Sequence, residues 1–217
     1  MLESGYKDKL FTDDEIRSEL DTILFAGHDT TATTLAFILL LIGSDTAVQE
    51  KAYKEVLEVF GDSDKDLDNS DINKLVYLEA IIKETIRLYP VGPAVGRVAV
   101  ADVKLKNYTI PAGRSIIIGI WGIHRHSLWG DDPDAFWPDR WLDPATLPDF
   151  QKASFGFSWG KRGCIGKTYA MMSMKITLAH FIRRFTVRAD VNQLTLKMEA
   201  LLKPMAGNEI TIELRKS

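Results

Sequence analysis

Residues 157–166 read FSWGKRGCIG and form the most informative stretch of the sequence. Gly160, Gly163 and Gly166 fall within this short span. Glycine adopts backbone conformations that other residues resist, so the chain can fold tightly at this point. Cys164 lies among these glycines and is the one cysteine of the chain. The stretch therefore predicts a tight loop built around a single sulfur atom.

A long helix is predicted directly after this loop, from about Ile165 to Arg184. The unpaired N–H groups and the positive dipole end of a helix start stabilise an anion. This placement would favour the thiolate of Cys164, which is the form that binds metal. A lone cysteine is also commonly just a small buried apolar side chain. Taken alone, the loop leaves both interpretations open.

Another long helix is predicted near the start of the chain. Residues Thr12–Glu15 read TDDE, a capping box in which the first and last side chains satisfy backbone donors of the first turn. Apolar residues then recur with a helical period as far as Ile42. Gly43 follows and is expected to end the helix.

Residues 26–31 of this helix read AGHDTT. Ala26 and Gly27 are small residues, and Asp29 and Thr30 supply a carboxylate and a hydroxyl that can exchange protons. A glycine inside a helix lowers helix stability by about 1 kcal/mol relative to alanine, so the presence of Gly27 indicates a packing or functional role. The alternative is a threonine-rich, buried helix surface that tolerates an isolated glycine.

Glu84 and Arg87 lie on a further predicted helix, from about Leu75 to Leu88. Their i, i+3 spacing places both side chains on one helix face, where they can pair. A Glu-x-x-Arg sequence is common by chance, so this motif has little weight without a structural context.

The rest of the chain reads as shorter elements. Pro- and Trp-rich residues 129–160 predict a long loop, and its aromatic residues indicate that the loop is packed. The other predicted elements are a helix at about 45–60 closed by Gly61, an acidic loop at 62–71, strands at 98–100, 103–105 and 114–120 with a turn at 111–113, and strands at 185–188 and 210–214.

Composition excludes several classes of protein. The chain has 217 residues, 46% of them hydrophobic and 26% charged, which is typical of a globular protein. Its formal net charge is −3, which gives no support to nucleic-acid binding. One cysteine excludes a disulfide framework and any multi-cysteine zinc site.

The spacing Phe-x-x-Gly-x-Arg-x-Cys-x-Gly resembles the haem-binding loop of the cytochrome P-450 superfamily. Its fixed positions are occupied by Phe157, Gly160, Arg162, Cys164 and Gly166. The AGHDTT and Glu-x-x-Arg motifs resemble two further motifs of that family, and all occur in the family's order. The resemblance implies a mainly α fold with small β-sheets, namely the C-terminal portion of the cytochrome P-450 fold from the long oxygen-binding helix onward.

The resemblance also implies a role for each matched residue. Cys164 would be the axial ligand of the haem iron, and Asp29 and Thr30 the catalytic proton relay. Glu84 and Arg87 would form a structural triad with Arg140 and so hold the cysteine loop. The family usually has Glu and Phe around this arginine, whereas the chain has Asp139 and Trp141. The other implied haem-binding residues are Phe157, Gly160, Gly166, Ala26 and Gly27, with Arg162 and Arg97 at the propionates.

The implied activity is that of a haem-thiolate monooxygenase that inserts one atom of dioxygen into a small apolar substrate. Haem b would be bound non-covalently apart from the Cys164–iron bond, because Ala26 stands where members of the similar fatty-acid hydroxylase branch carry a haem-linking Glu. Electrons would come from NADPH through NADPH–cytochrome reductase, with cytochrome b5 as a further partner. The animal microsomal type implies the cytosolic face of the endoplasmic reticulum membrane.

The family fold is longer than this chain, so residues 1–217 are expected to be the C-terminal part of one haem-thiolate domain, with the N-terminal half and membrane association outside it. A truncated, inactive fragment is one alternative. A haem-thiolate isomerase that needs no reductase is another, although Asp29 and Thr30 count against it. A membrane-spanning helix over Thr22–Ile42 is disfavoured, since His28-Asp29 near its middle would be costly in lipid.

Overall fold

The computed structural model describes residues 11–61, 67–148 and 154–215, except for the side chain of Thr146. Helices predominate and the strands are short, as predicted. The helices are α1 Asp13–Ser44, α2 Thr46–Phe60, α3 Asn69–Lys74, α4 Val76–Leu88, α5 Ile120–Ile123 and α6 Lys167–Arg184. The strands are β1 Ala94–Val98, β2 Val103–Lys104, β3 Thr109–Ile110, β4 Ser115–Gly119, β5 Phe185–Arg188, β6 Thr195–Met198, β7 Leu202–Ala206 and β8 Thr211–Leu214.

Helix α1 begins as predicted and ends later than predicted. The Thr12 hydroxyl accepts from the Glu15 N–H at 3.2 Å, and the Glu15 carboxylate accepts from the Thr12 N–H at 2.8 Å. The helix then continues through Gly43 to Ser44. A Cβ atom at Gly43 would lie 2.9 Å from Val187 Cγ1, so this glycine lets β5 approach the helix closely. The predicted helix stop at Gly43 was therefore wrong.

The core lies between the second half of α1 and helices α2, α4 and α6. Apolar side chains on facing sides of these helices are almost fully buried, including Ile38, Ile42, Ala52, Val56, Leu78, Ile81, Leu178 and Ile182. The first half of α1 is different, because nearly every residue from Phe11 to His28 is exposed. Helix α1 thus runs from the core outward into solvent.

By length and composition, α1 is the one helix of the described ranges that could cross a membrane. Its second half nevertheless lies in the protein core, where Phe37, Ile38 and Ile42 are at most 1% exposed. Burial against neighbouring helices accounts for the apolar character of that half. Such a helix is weak evidence for membrane association.

The strands of the described ranges pair as separate antiparallel two-stranded sheets: β1–β4, β2–β3, β5–β8 and β6–β7. In the first of these, Ala94 faces Gly119 and Val98 faces Ser115. The strand predicted at 98–100 therefore lies a few residues earlier, because its boundaries follow its pairing with β4. The β6–β7 hairpin was not predicted at all.

Two predicted loops are only partly loops. Residues 69–71 of the predicted acidic loop form the first turn of α3, which Asp68 caps by accepting from Ser70 N at 2.7 Å. Residues 62–66 lie outside the described residues, as do 149–153 of the long loop. Within that long loop Phe136, Trp141 and Phe157 pack against the core as predicted, whereas Trp137 is 46% exposed.

Candidate functional site

The cysteine loop is closed by its own backbone. The Cys164 N–H donates to the Phe157 carbonyl at 2.9 Å, and the Gly163 N–H donates to the Gly160 carbonyl at 2.9 Å. Ser158 and Gly160 have φ values of +60° and +74°, in the left-handed region that favours glycine. The glycine-rich sequence thus produces the predicted tight loop, and Ser158 is held in a conformation that costs free energy for a non-glycine residue.

Cys164 presents its side chain outward from this loop. It is a free cysteine and is exposed, as is the neighbouring Ile165. The following helix α6 begins at Lys167 with Gly166 at its N-cap, two residues later than predicted. The thiol therefore lies just before a helix N-terminus, where a negative charge is favoured. The interpretation of Cys164 as a buried small apolar residue is wrong for the described structure.

Three predicted cofactor-binding side chains lie in or beside this loop. Phe157 is half-buried against the core, and the Lys167 ammonium lies 6.0 Å from its ring centroid. Arg97 reaches the loop from β1, where its Nη2 donates to Ser158 Oγ at 3.3 Å. Arg162 is exposed in the short 3₁₀ turn Gly160–Arg162. The fold thus brings Arg97 to the cysteine loop across some sixty residues of chain.

The α1 motif has its own local geometry. Thr30 Oγ1 donates to the Ala26 carbonyl at 2.7 Å, which leaves the hydroxyl oxygen free to accept. A Cβ atom added at Gly27 would meet nothing within 4 Å in the described parts of the chain. The helix surface at Gly27 is therefore open enough for a flat group to approach.

Asp29 forms an ion pair that the sequence did not predict. Lys203 of β7 places its Nζ atom 2.9 Å from Asp29 Oδ1 and 2.8 Å from Oδ2. The Asp29 side chain is 25% exposed, and the Lys203 side chain is 48% exposed. No sequence signal marks Lys203, because the contact joins α1 to a hairpin more than 170 residues later.

Glu84, Arg87 and Arg140 come together in the protein interior and are at most 2% exposed. Arg87 donates to Glu84 through Nε and Nη2, each at 2.8 Å, and Arg140 Nε donates at 3.0 Å. The arginines also bind backbone carbonyls, with Arg87 Nη1 on His124 O at 2.9 Å and Arg140 Nη1 on Trp129 O at 2.7 Å. The predicted triad therefore exists as a geometric unit, and it ties α4 to the long loop.

Both departures from the usual family pattern beside Arg140 contribute to this unit. The Trp141 indole N–H donates to Glu84 Oε2 at 2.8 Å, a bond that a phenylalanine at this position would lack. Asp139 accepts from the Tyr77 hydroxyl at 3.3 Å and pairs with Lys51. The tryptophan thus adds a donor to the buried carboxylate, and the aspartate links the loop to α2 and α4.

His124 is a buried side chain at this junction whose role the sequence did not indicate. Its Nδ1 lies 3.0 Å from the Arg87 carbonyl, and its Nε2 accepts from the Phe155 N–H at 2.9 Å. Burial, together with the positive charges of Arg87 and Arg125, lowers the pKa of His124 to about 4, although the hydrogen bond to the Arg87 carbonyl opposes the shift. The ring is therefore neutral near pH 7.

A model of the cytochrome P450 family matches residues 1–212, which include all of these groups. The chain belongs to the cytochrome P450 family. The fold agrees: a crystal structure of a cytochrome P450 (CYP102L1) superposes with a TM-score of 0.87 at 26% identity, over 95% of this chain and 47% of that chain. The fold predicted from the sequence motifs is confirmed.

Individual cytochromes P450 resemble the chain along almost its whole length. Cytochrome P450 4g15 of Drosophila melanogaster is 35% identical over 221 residues, covering 100% of this chain and 38% of that protein. Cytochrome P450 4V2 of Homo sapiens is 35% identical over 203 residues, covering 94% of this chain and 39% of that protein. The chain thus spans about two fifths of the length of these relatives.

The family implies a haem cofactor, and the residues present in this cytochrome P450 chain fit one. Cys164 offers an exposed thiol, and the described residues hold no group of three or more His, Cys, Asp or Glu side chains that could bind a metal ion by themselves. A single thiolate suits an iron whose equatorial ligands come from a macrocycle. The open helix surface at Gly27 suits the approach of a flat ring.

Proposed function

We propose that this chain forms the haem-thiolate part of a monooxygenase that acts on small apolar organic molecules. The observation that carries the proposal is the exposed Cys164 thiol on a tight loop that its own backbone hydrogen bonds close. The buried Glu84, Arg87 and Arg140 unit, which binds the chain between His124 and Trp141, would support this loop. Thiolate-ligated haem supplies the electron density that favours O–O cleavage, and with it the capacity to insert one oxygen atom into a substrate. The protein's contribution is then to hold, orient and protect that group.

Cys164 would hold the iron, and Phe157 would pack on the thiolate side of the ring. Arg162 and Arg97 would bind the propionates, since guanidinium groups are permanent cations with donors that match a carboxylate. Gly160 and Gly166 keep the loop tight, and Ala26 and Gly27 leave α1 open to the ring. Arg162 is exposed within the loop, and Arg97 contacts the loop through Ser158. Both positions support this assignment.

Asp29 and Thr30 would carry the proton. The Thr30 hydroxyl donates to the Ala26 carbonyl, which holds it in place and leaves Oγ1 able to accept a hydrogen bond. To relay a proton, Oγ1 would take up one hydrogen as its own hydrogen leaves the Ala26 carbonyl for the next acceptor. Asp29 is held by Lys203, whose partly exposed ammonium can exchange with solvent. These contacts support a relay from solvent through Asp29 to Thr30.

The partners and location follow from the family resemblance alone. Electrons would come from NADPH through NADPH–cytochrome reductase, with cytochrome b5 as a further donor. The substrates would include fatty-acid-like molecules, and the site of action would be the cytosolic face of the endoplasmic reticulum membrane. Residues 1–217 would form one part of a single haem domain.

The test is the absorbance spectrum of the reduced protein with carbon monoxide, after reconstitution with haem. We expect a thiolate-type band for the 217-residue chain, its loss in Cys164→Ser, and its retention in Thr177→Ser, an exposed change on α6. If the wild-type chain takes up no more haem than Cys164→Ser, the inactive-fragment alternative is correct. A thiolate-type band that persists in Cys164→Ser would refute the assignment of the ligand.

The relay is tested with Thr30→Val, which keeps the shape and removes the hydroxyl, against Thr31→Val on the same helix turn. With a reductase and NADPH present, we expect the Thr30 variant to form several-fold less product per NADPH consumed. Equal ratios for the two variants would remove Thr30 from the relay.

A further inference from the structure

His124 lies between two parts of the site that are distant in sequence. It follows α5, it is 1% exposed, and it contacts both α4 and the segment that leads into the cysteine loop. On the α4 side the contact is reciprocal: the Arg87 guanidinium donates to the His124 carbonyl, and the His124 ring bonds the Arg87 carbonyl. On the other side, His124 Nε2 accepts from the N–H of Phe155.

These two ring contacts determine one protonation form. A backbone carbonyl can only accept, so Nδ1 must carry the hydrogen that bonds Arg87 O. A backbone N–H can only donate, so Nε2 must be unprotonated where it meets Phe155. The buried, neutral ring satisfies both requirements at once, and an imidazolium would direct an N–H against the Phe155 N–H.

The hydrogen bonds continue from His124 to the cysteine. Phe155 is anchored through its N–H, and its carbonyl accepts from Ser158 N at 2.7 Å. Phe157, one residue before Ser158, provides the carbonyl that accepts from Cys164 N. The bond to His124 thus fixes the start of the turn on which Cys164 depends.

The surroundings leave this segment little freedom to shift. A Cβ atom at Gly156 would lie 2.1 Å from Ile86 Cγ2 and 3.8 Å from His124 Cε1. The backbone between Phe155 and Phe157 therefore lies directly against α4 and the imidazole. Close backbone contact and a directional hydrogen bond together define the position of the loop.

We propose that His124 is a positioning residue that sets the cysteine loop relative to α4 and so determines whether Cys164 stays bound to the haem iron. This inference rests on the proposed haem-thiolate function. A residue that merely filled space would be replaced well by Phe, whereas a positioning residue requires the acceptor that faces Phe155.

The test uses three variants of the full chain. His124→Gln can place a carbonyl oxygen near the position of Nε2, His124→Asn can place an amide near Nδ1, and His124→Phe keeps the volume and neither bond. In the reduced carbon monoxide spectrum we expect the thiolate-type fraction to decrease in the order wild type, Gln, Asn, Phe. His126→Asn, at an exposed histidine two residues away, is the control and should match the wild type.

A measurement without haem separates this proposal from the proposed function. Hydrogen exchange of the segment 154–164 in the haem-free chain should be at least about tenfold faster in His124→Phe and His124→Asn than in wild type and His124→Gln, because the anchor of Phe155 is lost. Wild-type exchange and a wild-type spectrum in His124→Phe would overturn the proposal. If the wild-type chain shows no Cys164-dependent band, the proposed function fails, and the exchange result still decides the role of His124.

Discussion

At the scale of single residues, Glu84 concentrates more hydrogen bonds than any sequence motif indicates. It receives two from Arg87 and one each from the Trp137 N–H, Arg140 and the Trp141 indole. The Glu-x-x-Arg spacing predicted the first pair, and the family resemblance predicted Arg140. The tryptophan donor could not be predicted, because it depends on how the long loop packs onto α4.

Glu84→Gln should destabilise the protein strongly. The change leaves two buried arginines without their anion, and breaking a buried ion pair in this way costs about 3–5 kcal/mol. Urea denaturation followed by circular dichroism measures the loss. Glu58→Gln, at an exposed position of α2, should change the free energy of unfolding by no more than about 0.5 kcal/mol. Similar changes in the free energy of unfolding for Glu84→Gln and Glu58→Gln would show that other groups compensate the charges of Arg87 and Arg140.

The pH dependence of stability should report on His124. Its pKa is about 4 in the folded protein, below the ordinary value of 6.5, so the unfolded chain binds the proton more tightly. Stability from this residue is thus present above pH 6.5 and is lost as the pH falls toward 4. The loss approaches about 3 kcal/mol at the acid end. We therefore expect the free energy of unfolding to depend less steeply on pH between 4 and 6.5 in His124→Gln than in the wild type. An unchanged pH dependence in that variant would contradict the assignment of a neutral, buried ring.

At the scale of the elements, the local signals located the helices better than their ends. The capping box of α1 and the Asp45–Gly61 boundaries of α2 are properties of a few neighbouring residues, and both were predicted. The end of α1 was not, because Gly43 serves contact with β5 rather than a helix stop. A glycine in sequence does not reveal which of the two purposes it serves.

The two glycines of α1 should therefore respond in opposite ways to alanine. Gly43→Ala should destabilise the chain by about 1–3 kcal/mol, because its Cβ would lie 2.9 Å from Val187 Cγ1 and 3.1 Å from Ala189 N. Gly27→Ala has open space and should stabilise the haem-free chain by up to about 1 kcal/mol. Under the proposed function it should also weaken haem uptake. Urea denaturation measures the two stability changes, and haem titration measures haem uptake by Gly27→Ala. If Gly27→Ala destabilises the haem-free chain, other groups must pack against the helix surface at Gly27.

At the scale of the whole molecule, stability should be uneven along α1. Residues Thr34–Ile42 lie in the core, whereas almost all of Phe11–His28 is exposed, and an isolated helix of that length is marginal in water. Hydrogen exchange should therefore be much faster for amides 16–28 than for 34–42. Thr12→Ala, which removes the capping box, should accelerate the first group and leave the second unchanged. Equal protection along the helix would mean that the exposed half has a partner in solution.

The sequence by itself determined the cysteine loop and the motif-bearing helices, since glycine spacing, caps and apolar periods act over a few residues. Its motifs also resemble those of the cytochrome P450 family, to which the chain belongs. Only the tertiary structure decided that His124 joins Arg87 to Phe155, that Lys203 holds Asp29, and that Trp141 binds Glu84. Each of these bonds joins residues between 31 and 174 positions apart. Their partners are chosen by the packing of whole elements against one another, and no local pattern of residues encodes that choice.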